Sequence, residues 1–181
     1  DEPYTFNRTC TLFYRGVLND VSDFGQHRET VRDIAHGTYH TAQLIEIPEM
    51  AWHQGVDLFS IHGERLYKMV EFHAALAQGK KNEVHELWSE PDQDGWNIHP
   101  EIWNNKWPVD DQFNPSCFEI GYNHFKKRLG KPMPYTEELL AERRPICASR
   151  DTAWGWTLIF KDSPTELTPP VPTGSMPTPA A

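Results

Sequence analysis

A mainly α-helical domain with long ordered connections and at most one short strand is the fold class this sequence predicts. Three observations predict it. Apolar residues recur at helical spacing in two long stretches. Glycines stand where those stretches stop, at Gly55, Gly79 and Gly130. A β-prone run occurs at Trp154–Phe160, which reads as one short strand.

The elements follow in order. Residues 1–25 are mixed and aromatic, punctuated by Gly16 and Gly25. A first helix is expected from about Glu29 to Trp52, bent at Pro48, which has no N–H for an interior hydrogen bond. A second fits Gly63 to Gln78, with Leu66, Met69, Val70, Ala74 and Ala77 as its apolar face. Residues 80–115 turn polar and irregular, and Trp88, Trp96, Trp103 and Trp107 argue for an ordered functional loop. A third helix starts near Pro115, covers Cys117 to Leu129 and closes at Gly130. Thr136 reads as the N-cap of a short fourth helix, with Glu137 and Glu138 at its positive end, stopping before Pro145. The domain is placed at 1–162. Residues 163–181, rich in Pro and Thr, read as a disordered, O-glycosylated-type tail or linker.

The 181 residues suffice for one domain with a sizeable core. Mean hydropathy of −0.65 and the lack of any apolar run near ~20 residues argue against a membrane partner. A formal net charge of −9 argues against nucleic acid. An acidic polysaccharide would need a local basic patch. Arg32, the run Lys126-Lys127-Arg128 with Lys131, and the pair Arg143-Arg144 are the candidates. The aromatic residues suit sugar stacking or a core. Asn7-Arg8-Thr9 is a glycosylation sequon, which points to a secreted, extracellular protein; Asn114-Pro115-Ser116 is not one. Cys10, Cys117 and Cys147 allow one disulfide, with Cys117–Cys147 the expected pair, or three buried thiols.

Five polar residues fall on one face of the first expected helix: Glu29, Arg32, His36, Tyr39 and His40. A buried stripe at these offsets is normally apolar. Here it holds a carboxylate, a guanidinium, two imidazoles and a phenol, while Val31, Ile34, Ala35 and Ala42 supply the packing face. Such a stripe reads as a site; the plain alternative is a solvated face with a chance histidine pair.

Three stretches resemble the helical alginate lyase superfamily. Glu29-x-x-Arg32 with Tyr39-His40 resembles the helix that carries that family's catalytic arginine and tyrosine, and Arg32-Asp33-x-x-His36 resembles a fungal variant of it. Ala51-Trp-His-Gln-Gly-Val-Asp-Leu-Phe59, Arg65-Leu and Glu71-Phe72 resemble A-W-x-Q-G-x-D-L-[FY], R-L-L-x-G and E-Y. Phe118-Glu-Ile-Gly-Tyr-Asn-His-Phe125, Gly130-Lys-Pro-Met-Pro-Tyr-Thr136, Arg144-Pro145 and Trp154-Gly-Trp-Thr157 resemble W-E-x-x-Y-N-H-Y, G-x-x-x-P-x-T, R-P and G-x-G-T. The resemblance covers about residues 25–160, corresponding to the C-terminal half of the usual domain. Phe72, followed by His73, replaces the tyrosine of the E-Y segment, and Pro48 interrupts a helix the family keeps intact.

The resemblance implies a partial (α/α) toroid and a polysaccharide lyase that performs β-elimination on a uronate-containing polymer. Arg32 would neutralise the substrate carboxylate. Tyr39 would transfer the proton, its phenol ionising more readily beside Arg32. His36 or His40 would share the work, and Tyr122 and His124 would close the site. Glu29, Glu71, Asn123, Lys126 and Arg144 are the candidate substrate-binding residues. No cofactor is favoured. The alternative is copper or zinc held by His36 and His40, at i and i+4, with His73 and His124. A further alternative is a non-catalytic glycan-binding or interaction protein. Half a toroid leaves apolar surface uncovered. A homodimer, a second polypeptide supplying the other half, or residues 1–25 through Phe6, Leu12, Phe13, Tyr14, Val17 and Leu18 would cover it.

Overall fold

The computed structural model describes Val21 and residues 25–31, 34–80 and 116–144. These residues are mainly α, with four helices and no named strand among them. A 3₁₀ turn, Arg28–Val31, precedes α1, Ile34–His53, and α2, Phe59–Ala77. The third helix, α3, covers Ser116–Gly121 and runs directly into a π-helix at Tyr122–Arg128. The fourth, α4, is Pro134–Arg143. Asn7, Arg32, the cysteine pairing, the tryptophan-rich loop, the expected strand and the C-terminal tail lie outside the described residues.

Glycines end the helices as the sequence suggests. Gly55 (φ +83°) follows α1, with Gly55 N–H on the Trp52 carbonyl at 3.0 Å and Val56 N–H on the Ala51 carbonyl at 2.9 Å. Gly79 (φ +71°) ends α2 likewise, through Leu76 at 2.9 Å and Ala75 at 3.0 Å. These are Schellman closures, which use carbonyls the helix leaves unpaired. The short 54–58 link folds α2 back antiparallel to α1. Trp52 meets Phe59 at one end, 6.4 Å between ring centroids. The five residues expected on the apolar face of α2 are all buried.

The third helix lies antiparallel to α2. A Cβ on Gly121 would sit 2.9 Å from both methyls of Val70, and Phe125 meets Tyr67 and Phe59 edge-on at 5.6 and 5.8 Å. From Tyr122 onward it widens. Leu129 N–H reaches the His124 carbonyl, five residues back, at 3.2 Å, and Lys131 N–H reaches Phe125. Helical periodicity predicts a helix here but does not predict this change of winding.

Two expected element starts are corrected. The first helix begins at Ile34, not Glu29. Thr30 Oγ1 accepts the His27 N–H at 3.0 Å while Thr30 N–H returns to the His27 carbonyl at 3.0 Å, so residues 28–31 close a separate turn. Glu29 therefore does not share a helix face with His36, Tyr39 and His40. Thr136 is not an N-cap either. Met133 caps α4 and Pro134 opens it, where a missing N–H costs nothing. The N–H groups of Tyr135 and Thr136 donate to the Glu71 carboxylate at 3.2 and 3.0 Å, and the Thr136 hydroxyl donates to it too. A carboxylate from α2 thus occupies the positive end of α4. Burial pushes the Glu71 carboxyl above the ordinary range, and these three hydrogen bonds oppose that rise.

Charges hold the opposite ends together. Arg128 forks onto Glu49 with both nitrogens at 2.7 Å, the two side chains 3% and 4% exposed. The guanidinium also lies over Trp52, 4.8 Å from the ring centroid. Arg128 accordingly does not belong to the basic patch expected of Lys126-Lys127-Arg128. Lys126 pairs with Glu137 at 3.0 Å, and Lys131 pairs with Glu64.

Two stability outcomes follow. Gly25 has φ +95°, and a Cβ there would lie 2.4 Å from the Lys68 carbonyl carbon. Gly25→Ala should destabilise the protein by more than the ~1–3 kcal/mol of backbone strain alone, measured by urea unfolding. Arg128→Met should cost about 3–5 kcal/mol, because it strands Glu49 in the interior, whereas Arg128→Met with Glu49→Leu should recover most of that loss. Equal losses in the single and double variants would show that the pair itself is not what the interior requires.

Candidate functional site

Gly25 in the segment 25–31 and Gly37 on α1 let that segment press onto the helix pair. The strain-free fit at Gly25 lets the chain cross α2 at Lys68–Met69. At Gly37 a Cβ would fall 3.6 Å from Thr30 Cα and 3.9 Å from His73 Cδ2, so α1 also passes close to the turn. Where turn, α1 and α2 meet, His27, His40 and His73 come together. The His27 and His73 rings stack, 4.4 Å between centroids and 14° between planes, and His40 tilts against His27 at 4.6 Å and 56°. His27 and His73 are wholly buried, and His40 is half-buried.

Hydrogen bonds fix the protons in this cluster. His73 Nδ1 lies 2.8 Å from the Met69 carbonyl, which only accepts, so Nδ1 carries the proton. His73 Nε2 then accepts from the Thr30 hydroxyl at 2.8 Å, and that hydroxyl in turn accepts the His27 N–H. On the other side the Thr41 hydroxyl donates to the Gly37 carbonyl at 2.9 Å, so His27 Nε2 donates to Thr41 Oγ1 at 2.9 Å. His73 uses both ring nitrogens as a neutral imidazole, whereas His27 Nδ1 has no hydrogen-bond partner among the described residues. Burial pushes His73 down to about 4, with His40 adding to the fall and the Met69 bond opposing it. Burial, then the neighbouring His73 and His40, holds His27 well below the ordinary imidazole range.

The stripe expected of the sequence is only partly assembled. His36, Tyr39 and His40 share α1 and are all half-buried, and His40 belongs to the imidazole cluster. Glu29 sits half-buried in the preceding turn. His124 is elsewhere. Its ring stacks on Phe59 at 3.6 Å and 12° and meets Trp52 edge-on at 5.3 Å. Trp52 is sixteen residues beyond His36 on α1, about 24 Å of helix axis. His124 therefore cannot act on the same reacting atom as Tyr39, and the four-histidine metal set of His36, His40, His73 and His124 is not brought together. Among the described residues no three His, Cys, Asp or Glu side chains are disposed to hold a metal ion.

The remaining candidates form other contacts. The Tyr122 hydroxyl donates to Glu137 at 3.0 Å, and burial followed by that carboxylate pushes the phenol up. Arg144 forks onto buried Glu119 through Nε and Nη2, each at 2.9 Å, and lies over the Tyr122 ring at 5.5 Å. Lys126 joins Tyr122 on Glu137, and Glu71 serves the α4 terminus. Asn123, on the π-helix, is fully buried, and neither amide atom has a hydrogen-bond partner among the described residues. A buried amide in that state costs about 1–3 kcal/mol, a cost that native structures retain at few positions.

His27, Thr30 and Thr41 are the members of this buried cluster that sequence reasoning misses. His27 reads there as one of several scattered histidines, because a turn separates it from α1 and removes it from any helical register. The His27-x-x-Thr30 spacing was the available signal, since a threonine three residues on can accept the earlier N–H. Comparison of the chain with protein-family models, curated proteins and solved structures finds no match.

The imidazole cluster predicts an acid-sensitive fold. Above pH 6.5 the His27 and His73 rings are neutral in both the folded and unfolded chain. Below it the unfolded chain takes up protons on them, whereas the folded chain does not until about 4 at His73. The unfolded state then binds more protons, so stability falls as pH drops through that window and levels off below it. Urea unfolding between pH 7.5 and 5, above the ordinary carboxylate range near ~4.3, should show this loss, and His73→Leu should flatten the slope. A stability flat from pH 7.5 to 5 would mean that the rings are protonated in place.

Proposed function

We propose that this chain is a polysaccharide lyase-like protein that performs β-elimination on a uronate-containing polymer, with the centre at the His36–Tyr39–His40 edge of α1. One observation supports the reading above the others. Three potential proton-transfer side chains are half-buried on α1, and one of them, His40, packs against a fully buried imidazole pair that burial keeps neutral. Neutral imidazole is the form that accepts a proton at ordinary pH. A site bordered by low-dielectric, preorganised dipoles also strengthens any interaction with charge that develops in the transition state.

In this reading a base removes the proton from C5 of a uronate. The electrons of that C–H bond form the C4–C5 double bond, the bond from C4 to the bridging oxygen breaks, and that oxygen takes a proton from an acid. Tyr39 is the group proposed to carry the proton, with His36 or His40 as its partner. Arg32, which stands in sequence between the 28–31 turn and α1, is the group proposed to neutralise the uronate carboxylate. Tyr122, Glu71, Lys126 and Arg144 are assigned no direct part, because their polar atoms are engaged by Glu137, the α4 terminus and Glu119. Placing the chain in the helical alginate lyase superfamily, as a partial toroid in a secreted glycoprotein, belongs to the same proposal and rests on the motif resemblance.

The purified chain should raise the ultraviolet absorbance of unsaturated uronate ends when mixed with alginate, glucuronan or a related polymer. Tyr39→Phe should cut that turnover by about 10²–10⁴-fold with little change in melting temperature. A folded protein that binds these polymers without generating absorbance would be a glycan-binding protein instead. Near-normal turnover in Tyr39→Phe would move the proton transfer to a histidine.

A further inference from the structure

Residues 25–31 cross the helix pair with little apolar surface to hold them there. Among the described residues, Val21 is the one core side chain that precedes α1, and the others lie on the helices or on the links between them. The segment is tied to the helices by polar groups instead. The Thr30 hydroxyl reaches α2 at His73 Nε2, 2.8 Å away, and His27 Nε2 reaches α1 at the Thr41 hydroxyl, 2.9 Å away. Both of these ties run through an imidazole Nε2. The turn itself, Arg28–Val31, has four residues. One helical turn is not stable alone in water, so it depends on what it is tied to.

Acid acts on both imidazoles. A proton added to His73 Nε2 takes away the lone pair on which Thr30 donates. His27 already donates through Nε2, so a further proton must go to Nδ1, which has no hydrogen-bond partner among the described residues. A buried charge without a partner is costly. The titratable groups facing the pair are His40 from α1 and the two rings toward each other from the segment and α2. Each of them opposes an added proton. Glu29 on the segment and Lys68 on α2, where Gly25 crosses, are charged side chains of the same elements, and neither acts on the rings as strongly as His40 does. A second proton is thus unsupported while the segment is closed, and water solvates it once the segment is open.

The rest of the helical core responds elsewhere. Burial, then Arg128 and Lys131, hold His124 neutral down to about 3, so acid reaches the segment before it reaches the Trp52 end. Glu71, which burial pushes upward, holds the first turn of α4 and not the segment.

We propose that residues 25–31 are an acid-released latch: a proton on the His27–His73 pair frees this segment from α1 and α2 while the helices stay folded. Such local opening, at a free energy below that of global unfolding, is a general property of weakly held segments. The latch stands apart from the lyase reading, because it is read by exchange and not by turnover.

The test is native-state amide hydrogen exchange on the full chain at pH 7.5 and pH 5, followed by nuclear magnetic resonance and corrected for the intrinsic pH dependence of exchange. A ring that titrates near 4 in the closed segment and near 6.5 in the open one makes opening about 30-fold more favourable at the lower pH. Protection of the His27 and Thr30 amides should therefore fall by about 30-fold or more, while Phe72–Ala77 in α2 keep theirs. Thr30→Val deletes the tie to His73 and should lower protection of the His27 amide already at pH 7.5. The double variant His27→Gln, His73→Gln cannot take up these protons and should remove the pH dependence from the segment; if it does not fold, the wild-type profile and Thr30→Val still decide. Equal corrected protection at the two pH values would overturn the proposal, as would undiminished protection in Thr30→Val. Loss across Phe72–Ala77 in step with the segment would show global unfolding and no latch. Loss confined to the Tyr135 and Thr136 amides would place the acid response at Glu71 and overturn it as well.

Discussion

The hydrogen bond from the Thr30 hydroxyl to His73 Nε2 joins the turn before α1 to the inner face of α2, and it requires His73 to be neutral with its proton on Nδ1. The position of the turn, the start of α1 and the stacking of His27 on His73 all depend on that one protonation state. A second proton on His73 would turn Nε2 into a donor facing a hydroxyl that already holds its own hydrogen toward it. The hydroxyl could rotate, but it would then have to give up the His27 N–H or leave its own hydrogen unpaired. Buried polar networks are costly when half-satisfied, which is why this one carries so much of the local geometry.

The two ends of the α1–α2 pair handle buried polarity differently. At the His27 end, the neutral His27 and His73 rings pass hydrogen bonds along threonine hydroxyls, and no full charge is buried among the described residues. At the Trp52 end, a complete ion pair between Glu49 and Arg128 is enclosed by aromatic rings, and the guanidinium leaves His124 as an acceptor at Nδ1. Burying such a pair gains little over an apolar substitute, but it makes each partner indispensable to the other. It also fixes which His124 ring nitrogen accepts, and so which one carries the proton. Each end thus presents a defined imidazole tautomer for a stated structural reason.

Much of the fold was legible in the sequence, and the reasons are local. The apolar face of α2 follows from spacing alone, and Gly55, Gly79 and Gly130 mark helix ends because each adopts positive φ. What was not legible came from contacts between distant segments. Thr136 looks like an N-cap, but the carboxylate at that helix terminus comes from Glu71, 65 residues away. Lys126-Lys127-Arg128 looks like one basic patch, but Arg128 turns inward to Glu49 while Lys126 turns to Glu137. The site was half legible: His36, Tyr39 and His40 share a helix as their spacing indicates. Glu29 was lost to the turn that Thr30 closes, and His27 was invisible because no periodicity crosses such a turn.

The most direct test of the account is the proton inventory of the buried histidines, read by two-bond nitrogen–proton correlation on labelled full-length chain. The structure requires His73 as the Nδ1–H tautomer, and His27 and His124 as the Nε2–H tautomers, at neutral pH. It also requires His73 to stay unprotonated as the pH falls well below 6.5, toward about 4. A His73 ring that titrates near 6.5, or that carries its proton on Nε2, would contradict the hydrogen-bonded cluster on which the turn, the helix pair and the proposed site all rest.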